Sequence, residues 1–184
     1  LETLRQGQKV RDNVRNELIR LTSDIIKIKS VAGNSACIYL TPAHTCEIYD
    51  QRPQECRLLK CWDTEALVHS YRRNRLTRRD LIGNIPKLWD LVQTHQTRCD
   101  YARIYPLIQT LRDHAAPSKV PPELGEIIAY DAHFRTLIAE KAPQFKNQIL
   151  FLLGQPLVTS LAPLGLSLKL TQTGWHIRDT GEFL

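Results

Sequence analysis

An α+β fold follows from three features of the chain: alternating apolar residues near its start, helix-spaced apolar residues through its middle, and a second alternating stretch near its end. Apolar side chains at period two mark half-buried strands, whereas recurrence at i, i+3, i+4 and i+7 marks one face of a helix. Between the first two features lies a polar segment, Cys37 to Cys61, that holds four of the five cysteines. The expected order is short N-terminal strands, a cysteine-rich loop and helix, a helical middle and a C-terminal β-hairpin.

Over residues 1–35, Ile19-Arg-Leu21 and Ile26-Lys-Ile28 predict two strands, and Gly33-Asn34-Ser35 predicts a turn delivering Cys37. Cys37-Ile-Tyr-Leu40 suits a short strand ended by Pro42, and Cys46-Glu-Ile-Tyr49 suits another. Asp50 or Arg52 falls where an N-cap would lie, with Pro53 near the first helical turn, where its missing N–H costs nothing. Cys56 then sits one turn into a helix and Cys61 at or beyond its end. On an unbroken helix these two thiols would point about 140° apart, so they can share a metal only if the helix stops before Cys61. Trp62-Asp63-Thr64 permits that break, with Asp63 or Thr64 able to cap a new helix bearing Leu67, Val68 and Tyr71.

From Ile85 to His114, Leu88, Leu91 and Val92, then Ile104, Leu107, Ile108 and Leu111, fit amphipathic helices, and Pro106 should start, kink or stop the second. Pro117 to Pro122 reads as a linker. It divides a cysteine-rich metal-binding region, residues 1–115, from a helical segment with a C-terminal hairpin, residues 116–184, packed on the first as one domain. A helix over about Glu123 to Lys141 offers Leu124, Ile127, Ile128, Phe134, Leu137 and Ile138 as its core face. A shorter helix around Gln144 to Leu153 is stopped by Gly154 and Pro156. Leu166, Leu168 and Leu170, a turn at Thr173-Gly174, then Trp175 and Ile177 predict the hairpin.

With 184 residues, 42% of them hydrophobic and 24% charged, the chain can bury a core without crosslinks, so a metal would not be its only reason to fold. The longest apolar run, Ile149-Leu-Phe-Leu-Leu153, is far below the ~20 residues of a membrane span. No secretory signal pattern opens the chain, so a cytoplasmic, bacterial-type protein with no membrane partner is expected. A net charge of +6 and a pI near 9.2 allow contact with polyanions without requiring it.

The cysteines run Cys37-x8-Cys46-x9-Cys56-x4-Cys61, and the last interval matches the short spacings of zinc sites. Disulfides are disfavoured by the odd total of five and by the expected reducing compartment. Inert burial explains scattered thiols, but poorly explains four crowded among Pro42, His44, Asp50, Arg52 and Pro53. Metal ligation by Cys37, Cys46, Cys56 and Cys61 is therefore expected, with core packing the competing explanation. His44 could replace a thiol, although a surface loop histidine is the plainer reading, and Cys99 reads as a buried thiol or a fifth ligand. Soft thiolates suit Zn(II) or iron, including an iron-sulfur cluster, without distinguishing them.

A second function class rests on Arg72, Arg73, Arg75, Arg78 and Arg79, five arginines within eight residues. They suit a nucleic-acid or other polyanion contact. A solvated helix face is the simpler reading, since only Tyr71 offers an aromatic for stacking. A metal- or iron-sulfur-dependent modifying enzyme is a third class, but the chain has no phosphate loop, serine elbow or His-Glu-x-x-His motif and its six histidines are scattered. With no catalytic residue singled out, the expectation leans away from an enzyme.

Cys46-Glu-Ile-Tyr-Asp-Gln-Arg-Pro-Gln-Glu-Cys56-Arg-Leu-Leu-Lys-Cys61 resembles the C-x-I-Y-x-x-R-P-x-x-C-R stretch of the YkgJ-like family of zinc- or iron-chelating proteins. Cys61-Trp-Asp-Thr, Leu76-Thr-Arg-Arg-Asp-Leu, Leu88-Trp-Asp-Leu and Arg98-Cys99-Asp-Tyr extend the likeness to one bacterial subgroup, over roughly residues 25 to 105. The resemblance implies a chelated metal and makes Tyr49, Arg52, Pro53 and Arg57 motif residues, expected to brace the loop, with Arg52 and Arg57 pairing with carboxylates. That family's pattern begins with a C-x-x-C-x-x-C-C cluster, which is absent from this chain. The chain opens on Leu1 and contains no methionine, and the resemblance implies that a cysteine-rich segment precedes Leu1.

Overall fold

Short antiparallel strands at the N-terminus lead into a mainly helical body in the computed structural model, an α+β arrangement that describes residues 1–31, 36–60, 62–71, 73–113, 120–171 and 174–179. Strands β1 (Glu2–Leu4) and β4 (Ile25–Lys27) pair antiparallel, and between them β2 (Lys9–Asp12) pairs with β3 (Glu17–Arg20), Val10 lying opposite Ile19. The β2–β3 turn is set by Asp12, whose Oδ1 accepts the backbone N–H of Val14 and of Arg15, and by Asn16, which takes φ 55. Asx turns and left-handed backbone are the usual work of these residue types.

Strands β3 and β4 fall on the two alternating patches. Strands β1 and β2 carry little alternation and owe their position to partners distant in sequence. The Thr3 hydroxyl donates to the Phe151 carbonyl at 2.6 Å, and the Lys9 N–H donates to the Tyr105 hydroxyl at 2.6 Å.

Helices α1 (Gln54–Leu58) and α2 (Glu65–Ser70) follow the cysteine loop, and α3 (Arg78–Ile82) opens on a capping box in which Thr77 and Asp80 satisfy each other's backbone N–H. The body is α4 (Pro86–Arg98), α5 (Tyr101–Asp113), α6 (Pro122–Lys141), α7 (Ile149–Leu153) and α8 (Leu157–Ser160). Tyr101, Ile104, Tyr105, Ile108 and Leu111 of α5 pack with Leu124, Ile127 and Ile128 of α6 and with Leu157 and Leu161. A second cluster joins Val92 of α4, Ile138 of α6, and Leu152 and Leu153 of α7. Beyond α8, β5 (Leu166–Thr171) and β6 (Gly174–Asp179) run antiparallel in backbone, while Thr173, expected in the turn, lies outside the described residues, as do Gly33-Asn34-Ser35 and the first half of the expected linker.

Three expectations are corrected. Cys37–Leu40 and Cys46–Tyr49 are tight turns and not strands: the Leu40 N–H returns to the Cys37 carbonyl and the Tyr49 N–H to the Cys46 carbonyl, leaving only single bridges at Ser30–Cys37 and Leu40–Cys46. Each segment is too short to carry a ladder once its own turn takes those donors. Pro106 does not interrupt α5, which runs through it from Tyr101 to Asp113. Pro106 and Ala102 are both exposed, so the carbonyl that loses its helical donor faces solvent while the opposite face stays packed. Leu137 is 38% exposed and lies off the buried face of α6, a face that includes the charged Asp131.

Gly154 ends α7 at φ 70, and a Cβ there would sit 2.9 Å from both the Arg5 Cγ and the Thr3 carbonyl oxygen. Only glycine meets both demands. Nearby, Arg78 of α3 is 2% exposed and donates to both carboxylate oxygens of Asp24 at 2.7 and 3.0 Å, to the Leu152 carbonyl at 2.6 Å and to Gln96 at 3.1 Å. One guanidinium thus ties the N-terminal strands to α4 and α7. Removing one partner of a buried pair strands the other charge, so Asp24→Asn should cost roughly 3–5 kcal/mol in urea unfolding. Asp24→Leu combined with Arg78→Met should cost much less. A single-variant cost below about 1 kcal/mol would show that Asp24 is not the partner on which Arg78 depends.

Candidate metal centre

The cysteine loop is built almost entirely from local bonds. Residues 41–45 form a tight reversal in which the Thr41 N–H donates to the Thr45 carbonyl, the His44 N–H to the Thr41 carbonyl and the Thr45 N–H to the Thr41 hydroxyl oxygen. His44 takes φ 58 to close it and is exposed. With the Glu47 N–H bonded to the Tyr39 carbonyl, the reversal brings the turns beginning at Cys37 and Cys46 side by side.

After the second turn a single 3-10 turn, Tyr49–Gln51, leads to α1, with Pro53 at its N-cap. The Arg52 guanidinium lies 3.7 Å from the centre of the Tyr49 ring. Arg57 reaches back from α1, its Nε donating to the Arg52 carbonyl and its Nη2 to the Asp50 carbonyl, each at 3.0 Å. The brace therefore forms through backbone carbonyls and an aromatic face, where the sequence suggested carboxylates. Helix α1 ends at Leu58, before Cys61, and Asp63 Oδ1 accepts the Glu65 N–H at the start of α2.

Cys37, Cys46 and Cys56 are free thiols, Cys37 and Cys56 exposed and Cys46 half-buried, while Cys61 lies outside the described residues. Partial burial holds the Cys56 thiol above its ordinary value, and the neighbouring charges of Cys37, Glu55 and Cys46 add to the effect while Arg52 opposes it. Cys37 and Cys46 both act on the Cys56 thiol, although the three sulfur atoms do not all lie within 4.8 Å of one another as the ligand atoms of His95, Cys99 and Asp131 do. A divalent cation among them would reverse that effect, drawing off the protons and turning repulsion into ligation. The soft donor set suits Zn(II) or iron.

Cys99 has a different setting. It is fully buried at the C-cap of α4, where it, His95 and Asp131 bring ligand atoms within 4.8 Å of one another. Burial pushes the Cys99 thiol up to about 12 and His95 down to about 4. Burial also raises Asp131, but the hydrogen bond from His95 and the charge of Arg135 outweigh it and hold the carboxyl below its ordinary value. The pair is a neutral imidazole donating Nε2–H to an ionised carboxylate at 2.7 Å. Asp131 also accepts Arg135 Nε and the Leu157 N–H, each at 2.9 Å, so both its oxygens are engaged. With arginine already on the carboxylate and the thiol protonated, this cluster is a poor cation site, and Cys99 is a core thiol.

Among the described residues, the arginine-rich stretch does not present one continuous basic face. Arg78, expected as a polyanion contact, is buried on Asp24 and unavailable. Arg75 covers the Tyr71 ring at 4.6 Å, and Arg73 bonds His69 at 3.0 Å, while Arg79 is exposed and Arg72 lies outside the described residues. No helix among the described residues is long and apolar enough to cross a membrane.

The apolar spacing of α4 and α6 does not by itself single out His95 or Asp131 as members of the buried faces. Asp131 lies four residues after Ile127 and seven after Leu124, a charged residue in apolar register, which is the available signal. No known family model matches the chain, and neither a curated protein nor a solved structure was found to be similar to it.

Because the folded state holds His95 neutral, its contribution to stability is complete above pH 6.5 and is lost as the pH falls from 6.5 toward 4. The depression to about 4 corresponds to roughly 3 kcal/mol. Urea unfolding at stepped pH should show that loss in the wild type and a much flatter profile over the same window in His95→Gln. Equal slopes for the two proteins would refute a buried neutral imidazole.

Proposed function

We propose that this protein chelates Zn(II) or an iron centre through Cys37, Cys46, Cys56 and Cys61, as the YkgJ-like proteins that its cysteine motif resembles do. The observation that supports the reading is that Cys37 and Cys46 both reach Cys56 electrostatically in a loop braced by Arg57. The Cys56 thiolate is disfavoured where it stands, and a soft cation is a partner that would stabilise it. The end of α1 at Leu58 also frees Cys61 from the helix geometry that would have turned it away from Cys56.

Closed by four thiolates, the metal would stabilise the loop; with a position left open it would supply Lewis-acid or redox chemistry. Tyr49, Arg52, Pro53 and Arg57 act as supports: Arg57 clamps two carbonyls of the loop, and Arg52 brings a positive charge toward an anionic centre. Reduced thiols fit a cytoplasmic protein. The reading also takes the C-terminal segment as the hairpin turning at Thr173-Gly174. Polyanion binding is less favoured, because Arg78 is spent inside the fold and Tyr71 already has Arg75 on its face.

The test is elemental analysis with absorption spectroscopy on the intact protein purified without oxygen. About one metal ion per chain is expected, colourless for zinc or brown for iron with sulfide. Cys56→Ser should lower the stoichiometry, and chelation should lower Tm. A metal-free protein whose thiols all react freely with a thiol reagent would overturn the reading.

A further inference from the structure

Arg5 lies between β1 and β2 and is fully buried, yet Nε, Nη1 and Nη2 have no hydrogen-bond partner among the described residues. Its position is fixed by packing. The guanidinium lies 4.6 Å from the Tyr101 ring centre, and the stem runs over Gly154, where a Cβ would clash. Its charge is also felt at His95, Cys99, Tyr105 and Arg135. His95 Nδ1 is also buried without a partner.

The charges of this cluster do not cancel. Arg5 and Arg135 are positive and Asp131 is negative, with both its oxygens already taken by His95, Arg135 and the Leu157 N–H. The buried carboxylates of Glu2 and Asp24 are taken by Lys27 and Arg78, so one buried positive charge remains, carried by the group with unmet donors. A buried guanidinium without a counterion is strongly disfavoured. Water could accept its N–H groups but would leave the charge. A second cation is excluded by the first two. A monatomic anion accepts several N–H donors at once, neutralises the excess and brings no polar atoms of its own to satisfy.

We propose that the Arg5 guanidinium, buried beside the Tyr101 ring of α5 and the Gly154 turn after α7, binds a single halide ion, chloride being the available one. The ion completes the buried charge balance and links the stability of the fold to halide concentration. The site is separate from the cysteine loop and does not depend on its metal.

The experiment is thermal unfolding of the intact protein as sodium chloride replaces sodium gluconate at constant ionic strength. The wild type should show a saturable rise in Tm of about 5–10 °C at a hundredfold excess over Kd. Arg5→Met should be insensitive to chloride, more stable than the wild type without it and less stable when it saturates, so that the two curves cross. Line broadening of the chloride NMR resonance by the wild type, reversed by bromide, reads the same site even if the variant does not fold. A flat wild-type curve without line broadening, or a chloride response kept in Arg5→Met, would overturn the proposal.

Discussion

The carboxylate of Asp131 is the constraint around which the helical body is assembled. Burying it would be costly alone, but it accepts from His95 on α4, from Arg135 one turn along α6 and from the N–H of Leu157 at the start of α8. Arg135 in turn donates to the carbonyls of Leu153, Gly154 and Gln155, the residues that carry the chain from α7 to α8. That connection bends at a left-handed glycine and would otherwise leave those carbonyls facing the core. The ionic network thus supplies hydrogen bonds where helices end, while the apolar clusters on either side supply the burial.

A second buried ion pair performs a similar task at the N-terminal strands. These strands are too short to stand alone. Asp24 receives Arg78 and also accepts the Gln6 N–H, so one carboxylate fixes the strand region to α3, α4 and α7. The cysteine loop depends on neither network. Its bonds join residues within about a dozen positions of one another, and no large apolar residue of 37–60 is buried. Such a segment has little burial to stabilise it, which is why a ligated metal would act locally there and why the body can fold without one.

Much of the fold was legible in the residues. The long helices followed the apolar register, the breaks at Gly154 and Pro156 followed turn chemistry, and β3 and β4 followed alternation. The misreadings share a cause. Cys37–Leu40 and Cys46–Tyr49 have strand-like composition, but composition does not reveal that each segment's own turn uses the donors a ladder would need. Pro106 has the chemistry of a helix breaker, but its cost depends on whether the orphaned carbonyl faces water. Arg78 looked like four of its neighbours, and only its contact with Asp24, fifty-four residues away, separates a buried staple from a surface charge.

Local chemistry by itself determined where the long helices run, where α7 stops and that four cysteines fall in one short polar segment, because those properties depend on neighbours within a few positions. Which charged groups are buried, which cysteine belongs to the core and which arginines remain at the surface were decided only by tertiary structure. Burial and pairing of a charge depend on groups that meet across dozens of residues, and the free energy of placing that charge is set by those partners and not by the residue itself.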